Sequence, residues 1–258
     1  MNKKQKQHAN AFWEMKARKY PLPFAPDNLA KTKAIIAMVE YHGVLPDGAT
    51  ILDLGCGTGT YTLPLAQRAE RITGLDSSET MLERLRKEAK RAGIDNVDTV
   101  QATWQEAETL GRGWEQAFDI VWAAMTPAVR DQETLNRMIR CSRNWCVYIG
   151  WGRKRANPLL EEAFRLHQTP FGAGRWMEKI TALLAESSTP YTLEYIDTSW
   201  EWSGTLDEAV EDIGGHIRLH QGTPDSWILR ELLALHADTD NMIRHTTSVE
   251  QGVLLWQV

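Results

Sequence analysis

The chain contains 258 residues with a formal net charge of −5, and 43% of them are hydrophobic while 24% are charged. This composition is that of a globular protein with a full core, and the acidic balance argues against a nucleic-acid or membrane-surface partner, because phosphate groups are bound by basic patches. No apolar run approaches the roughly 20 residues of a membrane span, and three cysteines form no disulfide framework. We therefore expect a soluble, cytoplasmic protein.

The N-terminal region is predicted to be helical. Residues 1–20 favour an amphipathic helix that ends before Pro21, since a residue preceding proline is displaced from the helical region. Its basic residues are interpreted as a solvated face, because no cleavable hydrophobic segment accompanies them. A second helix is predicted over 29–41, with Ile35, Ile36 and Val39 on its apolar side.

A strand, a glycine loop, a helix and a second strand follow over residues 50–77. The apolar run 51–54 is typical of a strand buried on both faces of a parallel sheet. Gly55, Gly57 and Gly59 let the backbone turn sharply and let a ligand approach main-chain N–H groups. A helix is predicted over 61–68, and a strand over 71–75 ends at Asp76. This unit is suited to an adenosine-containing ligand, whose ribose hydroxyls a carboxylate at the second strand can accept.

The spacing of the glycines indicates which ligand this is. A dinucleotide loop has its third glycine three residues after the second, where this chain has Thr60. The pattern is instead Asp53-x-Gly55-x-Gly57-x-Gly59, and an acid at the end of the first strand suits a ligand with a cationic amino group. We therefore expect S-adenosylmethionine in preference to NAD.

Further elements alternate along the rest of the chain. Ser77 or Ser78 is predicted to cap a helix that runs to Ala92 and ends at Gly93. Strands are predicted over 97–102, 118–123 and 145–151, with a helix over 130–142. The C-terminal part is predicted to contain strands over 191–202 and 249–258, and helices over 159–168, 175–186, 206–220 and 226–237. Thr205 with Glu208 predicts a capping box, and Pro224 is predicted at the first position of the last helix.

Four segments resemble a known family. DLGCGTGTYTLPLA and GLDSSETML are similar to the first two signature motifs of the class I S-adenosylmethionine-dependent methyltransferases, and VQATWQE and FDIVWAAM continue the likeness over the first 150 residues or so. The resemblance implies an α/β fold with a Rossmann-like seven-stranded, mostly parallel sheet whose last strand is antiparallel, flanked by helices and covered on the substrate side by a helical cap. We expect one domain: an N-terminal helical lid (1–48), a cofactor-binding core (49–152), and C-terminal strands with cap insertions (153–258).

The resemblance also implies which residues bind the methyl donor. Asp53 is expected to hold the amino end of the methionine, and Asp76 the ribose hydroxyls. Ala102, Thr103 and Trp104 are expected beside the adenine. Trp13 and Tyr20 are candidate lid residues, although packing accounts for them more simply. The predicted cofactor-binding residues are Asp53, Gly55, Gly57, Thr58, Gly59, Asp76, Ser77, Thr103, Trp104 and Ala124. No catalytic residue is assigned, because transfer from a sulfonium needs positioning more than acid–base chemistry.

The acceptor is predicted to be a small molecule, with S-adenosylhomocysteine as the second product. The segment Met125-Thr126-Pro127-Ala128 lacks the Asn/Asp-Pro-Pro-Tyr sequence of enzymes that methylate nucleobase or glutamine amino groups. Nucleic acid is therefore not expected as a partner, nor is a membrane, and the oligomeric state is left open. His216 and His220 stand four residues apart on a predicted helix, but no metal is expected because no zinc motif accompanies them. The alternatives are a methyltransferase acting on RNA or protein, a non-catalytic S-adenosylmethionine sensor, and an NAD-dependent oxidoreductase.

Overall fold

The structure is a computed structural model that describes residues 11–17, 19–107, 113–171 and 176–258. Residues 11–17 are helical, as predicted for the N-terminal segment, while residues 1–10 and 18 of that predicted helix lie outside the described residues. The same holds for residues 108–112, between the predicted strands 97–102 and 118–123, and for Arg175 at the start of a predicted helix. In the described parts of the chain, no helix is both long and apolar enough to cross a membrane.

Strands and helices alternate along most of the described chain. The strands are β1 (Thr50–Leu54), β2 (Arg71–Asp76), β3 (Val97–Gln101), β4 (Phe118–Ala124), β5 (Ser142–Ala156), β6 (Thr192–Thr205) and β7 (Met242–Gln257). The helices are α1 (Pro26–Tyr41), α2 (Thr62–Ala66), α3 (Glu79–Ala92), α4 (Trp104–Ala107), α5 (Gln132–Cys141), α6 (Pro158–Leu166), α7 (Trp176–Glu186), α8 (Leu206–Leu219) and α9 (Ser226–Ala234).

The strands form one seven-stranded sheet in the order β3-β2-β1-β4-β5-β7-β6. Strands β1 to β5 pair in parallel, and the last strand is antiparallel, so the predicted fold class is confirmed. The strand order reverses direction at β1 and β4, which is the position where open parallel sheets bind their ligands.

The Cα packing divides the chain into two compact units. The larger unit comprises Ala17–Trp151, Arg175–Ile196 and Gln251–Val258, and the smaller unit comprises Met1–Lys16, Gly152–Gly174 and Asp197–Glu250. These boundaries differ from the predicted segments, because residues 176–196 and 251–258 pack with the larger unit. In the smaller unit, apolar residues of α6, α8 and α9 form a core of their own, which includes Phe164, Ile213 and Leu233.

Capping residues fix several helix ends as predicted. The Ser78 hydroxyl accepts the N–H of Met81 at the start of α3, and Gly93 ends that helix with φ +67°. The capping box of Thr205 and Glu208 is present at α8. The prediction for α9 is wrong in one respect: Asp225 caps this helix by accepting two backbone N–H groups, so Pro224 precedes the cap and is not the first helical residue.

Candidate functional site

The parallel register brings the carboxyl ends of four strands to one edge of the sheet. Leu54 at the end of β1 pairs with Leu75 of β2 and with Ala123 of β4, and Asp76 pairs with Gln101 of β3. The segments that follow these strands therefore share that edge. They contain seven of the ten predicted cofactor-binding residues; Asp76 and Ala124 are the last residues of β2 and β4, and Asp53 lies one residue before the end of β1.

The loop after β1 makes a close approach to the segment after β4. Gly55 has φ +70°, and a Cβ there would lie 2.2 Å from the Thr126 hydroxyl oxygen. Met125, next to Thr126, has φ +53°, a conformation that costs free energy for a residue with a side chain. Gly57 also has a positive φ, but a Cβ there would meet nothing within 4 Å. The loop is therefore tightly packed at Gly55 and open at Gly57, where a ligand could approach the main chain.

Asp76 organises the loop. Its carboxylate accepts the backbone N–H of Gly57 and that of Ser78, both at 2.9 Å. Ser77 is half-buried beside it. The acid is thus placed by the same backbone that the glycines shape, at the strand end where a carboxylate is predicted to accept the hydroxyl groups of a ribose.

Asp53 occupies a more enclosed position than its predicted role suggests. Its side chain is only 2% exposed and accepts a hydrogen bond of 2.6 Å from the Thr62 hydroxyl in α2. Burial raises the pKa of Asp53 to about 7, although the bond from Thr62 opposes the shift. A cationic group bound beside it would favour the ionised form, which is the behaviour required of a residue that holds an ammonium group.

We expect Asp53→Asn to increase stability at alkaline pH. Since the folded-state pKa lies above the unfolded value of about 3.9, the native chain binds more protons between pH 4 and 7, and its stability falls as pH rises through that range. The amide can still accept from Thr62, so the variant should gain about 2 kcal/mol of unfolding free energy at pH 8 and little at pH 4. Urea unfolding of both proteins at pH 8 and at pH 4 measures this gain. The same difference in unfolding free energy at the two pH values would contradict it.

The main-chain carbonyls of Ala17, Tyr20 and Pro21 are hydrogen-bonded to the glycine loop and to α3. The Thr58 hydroxyl donates to the carbonyl of Pro21 at 3.1 Å, and the guanidinium of Arg84 donates to the carbonyls of Ala17 and Tyr20. Burial, together with the nearby carboxylate of Asp76, raises the pKa of Tyr20. The structure therefore brings the predicted lid residue Tyr20 close to Asp76, the acid predicted to bind the ribose. Trp13, in the smaller unit, packs on Phe12.

The segment after β3 is less open than expected. The backbone N–H and hydroxyl of Thr103 both donate to Glu106. Trp104 is 2% exposed, and its indole N–H donates to the carbonyl of Thr134 at 3.1 Å while Arg137 lies over the ring. The ring is thus part of the core and has no free face for a purine. A role for residue 104 in cofactor binding stays a prediction, and only its backbone could fulfil that role.

One residue that the motifs did not single out stands next to Asp53 in the sheet and carries a hydrogen-bond donor. Trp122 of β4 is in register with Asp53 of β1, and its ring lies 5.3 Å from that of Tyr61. Its indole N–H is buried and has no hydrogen-bond partner among the described residues. An unpartnered buried donor beside a buried acid fits a ligand that carries both a carboxylate and an amino group. This residue lies in the FDIVWAAM segment, but the sequence of an apolar strand does not show whether the indole N–H of a tryptophan in it is hydrogen-bonded.

Two other features lie apart from this edge. A cavity of about 390 Å³ is lined by Leu22, Phe24 and Glu88, among others, and by none of the predicted site residues. The ring of His220 is bonded to the carbonyl of His216, and the part of the chain that the structure describes contains no group of three or more His, Cys, Asp or Glu side chains placed to hold a metal.

Comparison with known proteins identifies the fold's family. Residues 51–146, which contain the glycine loop, Asp76 and strands β1 to β4, match the family model described as a methyltransferase domain. The chain contains a class I methyltransferase domain. Members of this class use S-adenosylmethionine as methyl donor.

The curated relatives of this methyltransferase domain act on ribosomal RNA. The chain is 50% identical over 82 residues to the 23S rRNA (uracil(1939)-C(5))-methyltransferase RlmD of Alkalilimnicola ehrlichii, which is 30% of this chain and 18% of that protein. It is 33% identical over 134 residues to RlmD of Hahella chejuensis, 50% of this chain and 30% of that protein. The chain thus spans less than a third of the length of these relatives.

Solved structures share the fold of the methyltransferase domain at low sequence identity. A protein of Bacillus halodurans described as a methyltransferase is 11% identical with a TM-score of 0.53, covering 86% of this chain and 97% of that one. Magnesium protoporphyrin IX methyltransferase of Synechocystis, solved with S-adenosylhomocysteine, is 16% identical with a TM-score of 0.50, covering 66% and 75%.

These relatives overturn the prediction about the partner. A small-molecule acceptor was expected and nucleic acid was not, but the relatives of the methyltransferase domain are named as enzymes of 23S rRNA, so that prediction is wrong. The argument failed because net charge is summed over a whole chain and does not describe the local surface that meets a phosphate backbone. The missing Asn/Asp-Pro-Pro-Tyr sequence concerns amino-group acceptors only.

Proposed function

We propose that this chain transfers the methyl group of S-adenosylmethionine to an RNA acceptor. The observation that carries the proposal is the conjunction of two findings: a methyltransferase domain with an acid placed by its own glycine loop, and relatives of that domain that act on ribosomal RNA. When bound, S-adenosylmethionine supplies an activated methyl group. The protein then has to hold the acceptor in line and exclude water.

Each residue at the sheet edge has a distinct part in this proposal. Asp76 would accept the ribose hydroxyls from the position in which Gly57 and Ser78 hold its carboxylate. Asp53 and the indole N–H of Trp122 would receive the amino and carboxylate ends of the methionine. Ala124, at the end of β4, would lie near the methyl group, because ligands of open parallel sheets bind beyond the strand ends.

The acceptor atom is proposed to be a nitrogen or an oxygen. The relatives are named for C5 of uracil, a ring carbon that gains nucleophilic character when a thiolate adds to the neighbouring carbon. The three cysteines of this chain, Cys56, Cys141 and Cys146, are all buried. Burial raises the pKa of Cys141 to about 11 and that of Cys56 well above its usual value. A thiolate is thus not available at neutral pH, whereas a heteroatom already has the lone pair it needs.

Transfer of label tests the acceptor class. The protein is incubated with tritiated S-adenosylmethionine and either total RNA or a protein extract, and we expect acid-precipitable label that ribonuclease releases and protease does not. Digestion to nucleosides should then place the label on a ring nitrogen or a ribose oxygen. Asp76→Ala, assayed in parallel, should reduce the label.

Other outcomes of the same assay would contradict specific parts of the proposal. Label that protease releases would make the acceptor a protein, and label that stays acid-soluble would make it a small molecule. Label on C5 of uridine would overturn the assignment of a heteroatom. A thermal shift with NAD and none with S-adenosylhomocysteine would overturn the methyl donor itself.

A further inference from the structure

A buried polar cluster in the smaller unit has no part in the methyl-donor site. Asn157, at the start of α6, is fully buried and caps that helix by accepting the N–H of Leu160 at 3.0 Å. Its amide nitrogen lies 2.9 Å from Nδ1 of His245 and 2.7 Å from the hydroxyl oxygen of Thr247. Both histidine and threonine belong to β7, about 90 residues along the chain from the asparagine.

This network fixes where the proton of His245 resides. A backbone N–H can donate only to the amide oxygen, so the Asn157 oxygen faces Leu160 and its NH₂ group faces the other two partners. One N–H of that group points to Nδ1 of His245, which must therefore accept. A neutral imidazole that accepts at Nδ1 carries its proton on Nε2.

The ring is held neutral and in one orientation. Burial, the largest influence, lowers the pKa of His245, and Lys16 lowers it further while Asp212 opposes. A second proton, on Nδ1, would also be repelled by the N–H of Asn157 that points at this nitrogen. The imidazole is stacked on Trp202 with ring centroids 5.2 Å apart and planes within 9° of parallel. His245 is thus a rigid hydrogen-bond donor with its N–H at Nε2.

That donor has no acceptor among the described residues. Nε2 of His245 is buried and makes no hydrogen bond to any of the residues described. Buried donors in native proteins are almost always bonded, and one left without a partner costs free energy. The buried Asn157 fixes the direction of this N–H, yet no described residue accepts it. A ligand that supplies the acceptor explains the network.

The charges nearby indicate a neutral ligand atom. Lys16 and Asp212 act electrostatically on His245, but they pair with each other at 2.5 Å, so their charges largely cancel. His216, 3.8 Å from the other oxygen of Asp212, is also neutral, because burial holds its pKa well below the usual value. An anion gains little in such surroundings, whereas a carbonyl oxygen needs only the N–H.

We propose that Nε2–H of His245, held by Asn157 and Trp202, binds a carbonyl oxygen of a nucleobase in the acceptor RNA. The class of ligand rests on the function proposed above, since it is RNA that presents base carbonyls to the protein. Uracil, cytosine and guanine carry such a group and adenine does not. The site therefore discriminates against adenine.

Nuclear magnetic resonance of histidine-labelled protein tests the donor without a ligand. We expect the ring proton of His245 on Nε2 at neutral pH. Asn157→Asp keeps an oxygen for Leu160 and presents an acceptor to the ring, so a proton should then be found on Nδ1, which also assigns the signal. A proton on Nδ1 in the unmodified protein would overturn the proposal.

Calorimetry with two homopolymers tests the ligand. His245→Phe preserves the flat ring but removes the donor, and it should weaken binding of oligouridylate about tenfold while leaving oligoadenylate of equal length unchanged. The control, His236→Phe, replaces an exposed histidine and should change neither. His245→Phe also removes the Nδ1 acceptor of the buried Asn157 amide, so its melting temperature should fall, and binding is compared well below the melting temperatures of all the variants.

The possible failures are distinguishable. Equal binding of oligouridylate by the unmodified protein and His245→Phe, or equal weakening for both homopolymers, overturns the role of His245 and leaves the labelling result intact. Absence of labelled RNA overturns the proposed function and with it the base as ligand. A proton confirmed on Nε2 together with no binding of either homopolymer would mean that the donor serves water only.

Discussion

Replacing Gly55 with alanine is expected to lower the free energy of unfolding by about 3 kcal/mol and to abolish binding of S-adenosylhomocysteine. Two costs contribute. The residue has φ +70°, which a side chain disfavours by about 1 to 2 kcal/mol. The new Cβ would also lie 2.2 Å from the hydroxyl oxygen and 2.6 Å from the Cβ of Thr126, so the backbone of one segment has to move. Denaturant unfolding measures the first effect and calorimetry the second.

Gly93 offers a control that separates these costs. It has nearly the same φ, +67°, but a Cβ there would meet nothing within 4 Å. Gly93→Ala should therefore cost only about 1 kcal/mol and leave ligand binding unchanged. Combining Gly55→Ala with Thr126→Gly removes the contact and should recover part of the loss, which appears as a coupling energy between the two sites. Equal costs at positions 55 and 93 would refute the argument from close approach.

Asp76→Ala should raise the dissociation constant of S-adenosylhomocysteine about 100-fold, which corresponds to about 2.7 kcal/mol. The substitution removes the acceptor of the ribose hydroxyls, and it also leaves the N–H groups of Gly57 and Ser78 without their carboxylate partner. The loop that wraps the ligand is thereby loosened as well. Calorimetric titration at constant salt and pH measures the change.

Asp98 provides the matched control for this substitution. It is an exposed carboxylate on the neighbouring strand β3, where it pairs with Arg71. Asp98→Ala should change the dissociation constant less than twofold, since exposed ion pairs contribute little. If Asp76→Ala bound as tightly as the Asp98 variant, the acid would be only a support for the loop, and the ribose would have to be held elsewhere.

The sequence predicted best those features that depend on neighbours along the chain. The cap of α3 was predicted as Ser77 or Ser78 and its end as Gly93, because a hydroxyl cap and a left-handed glycine act within one turn of helix; Ser78 is the cap. The same local logic failed at Pro224, because the competing cap, Asp225, stands only one residue later and bonds two N–H groups. β5, predicted over 145–151, extends over Ser142–Ala156, since strand length is set by pairing with distant segments.

The residues of the candidate site divide in the same way, into those set by neighbours along the chain and those set by distant contacts. The glycine loop and Asp76 are adjacent in a motif, so spacing alone brought them together. Trp104 was expected to face a ligand but is turned into the core by Thr134 and Arg137, 30 and 33 residues away. The donor on His245 could not be anticipated either, since its tautomer depends on an asparagine 88 residues earlier in the chain.

The hydrogen bonds to the main chain of Ala17, Tyr20 and Pro21 have a consequence for variation among proteins of this kind. Thr58 and Arg84 donate to carbonyl oxygens, which every amino acid possesses, so the identity of the accepting residues matters less than that of the two donating side chains. Substitution of the exposed Pro21 should therefore be tolerated, whereas substitution of Arg84 removes the bonds to Ala17 and Tyr20.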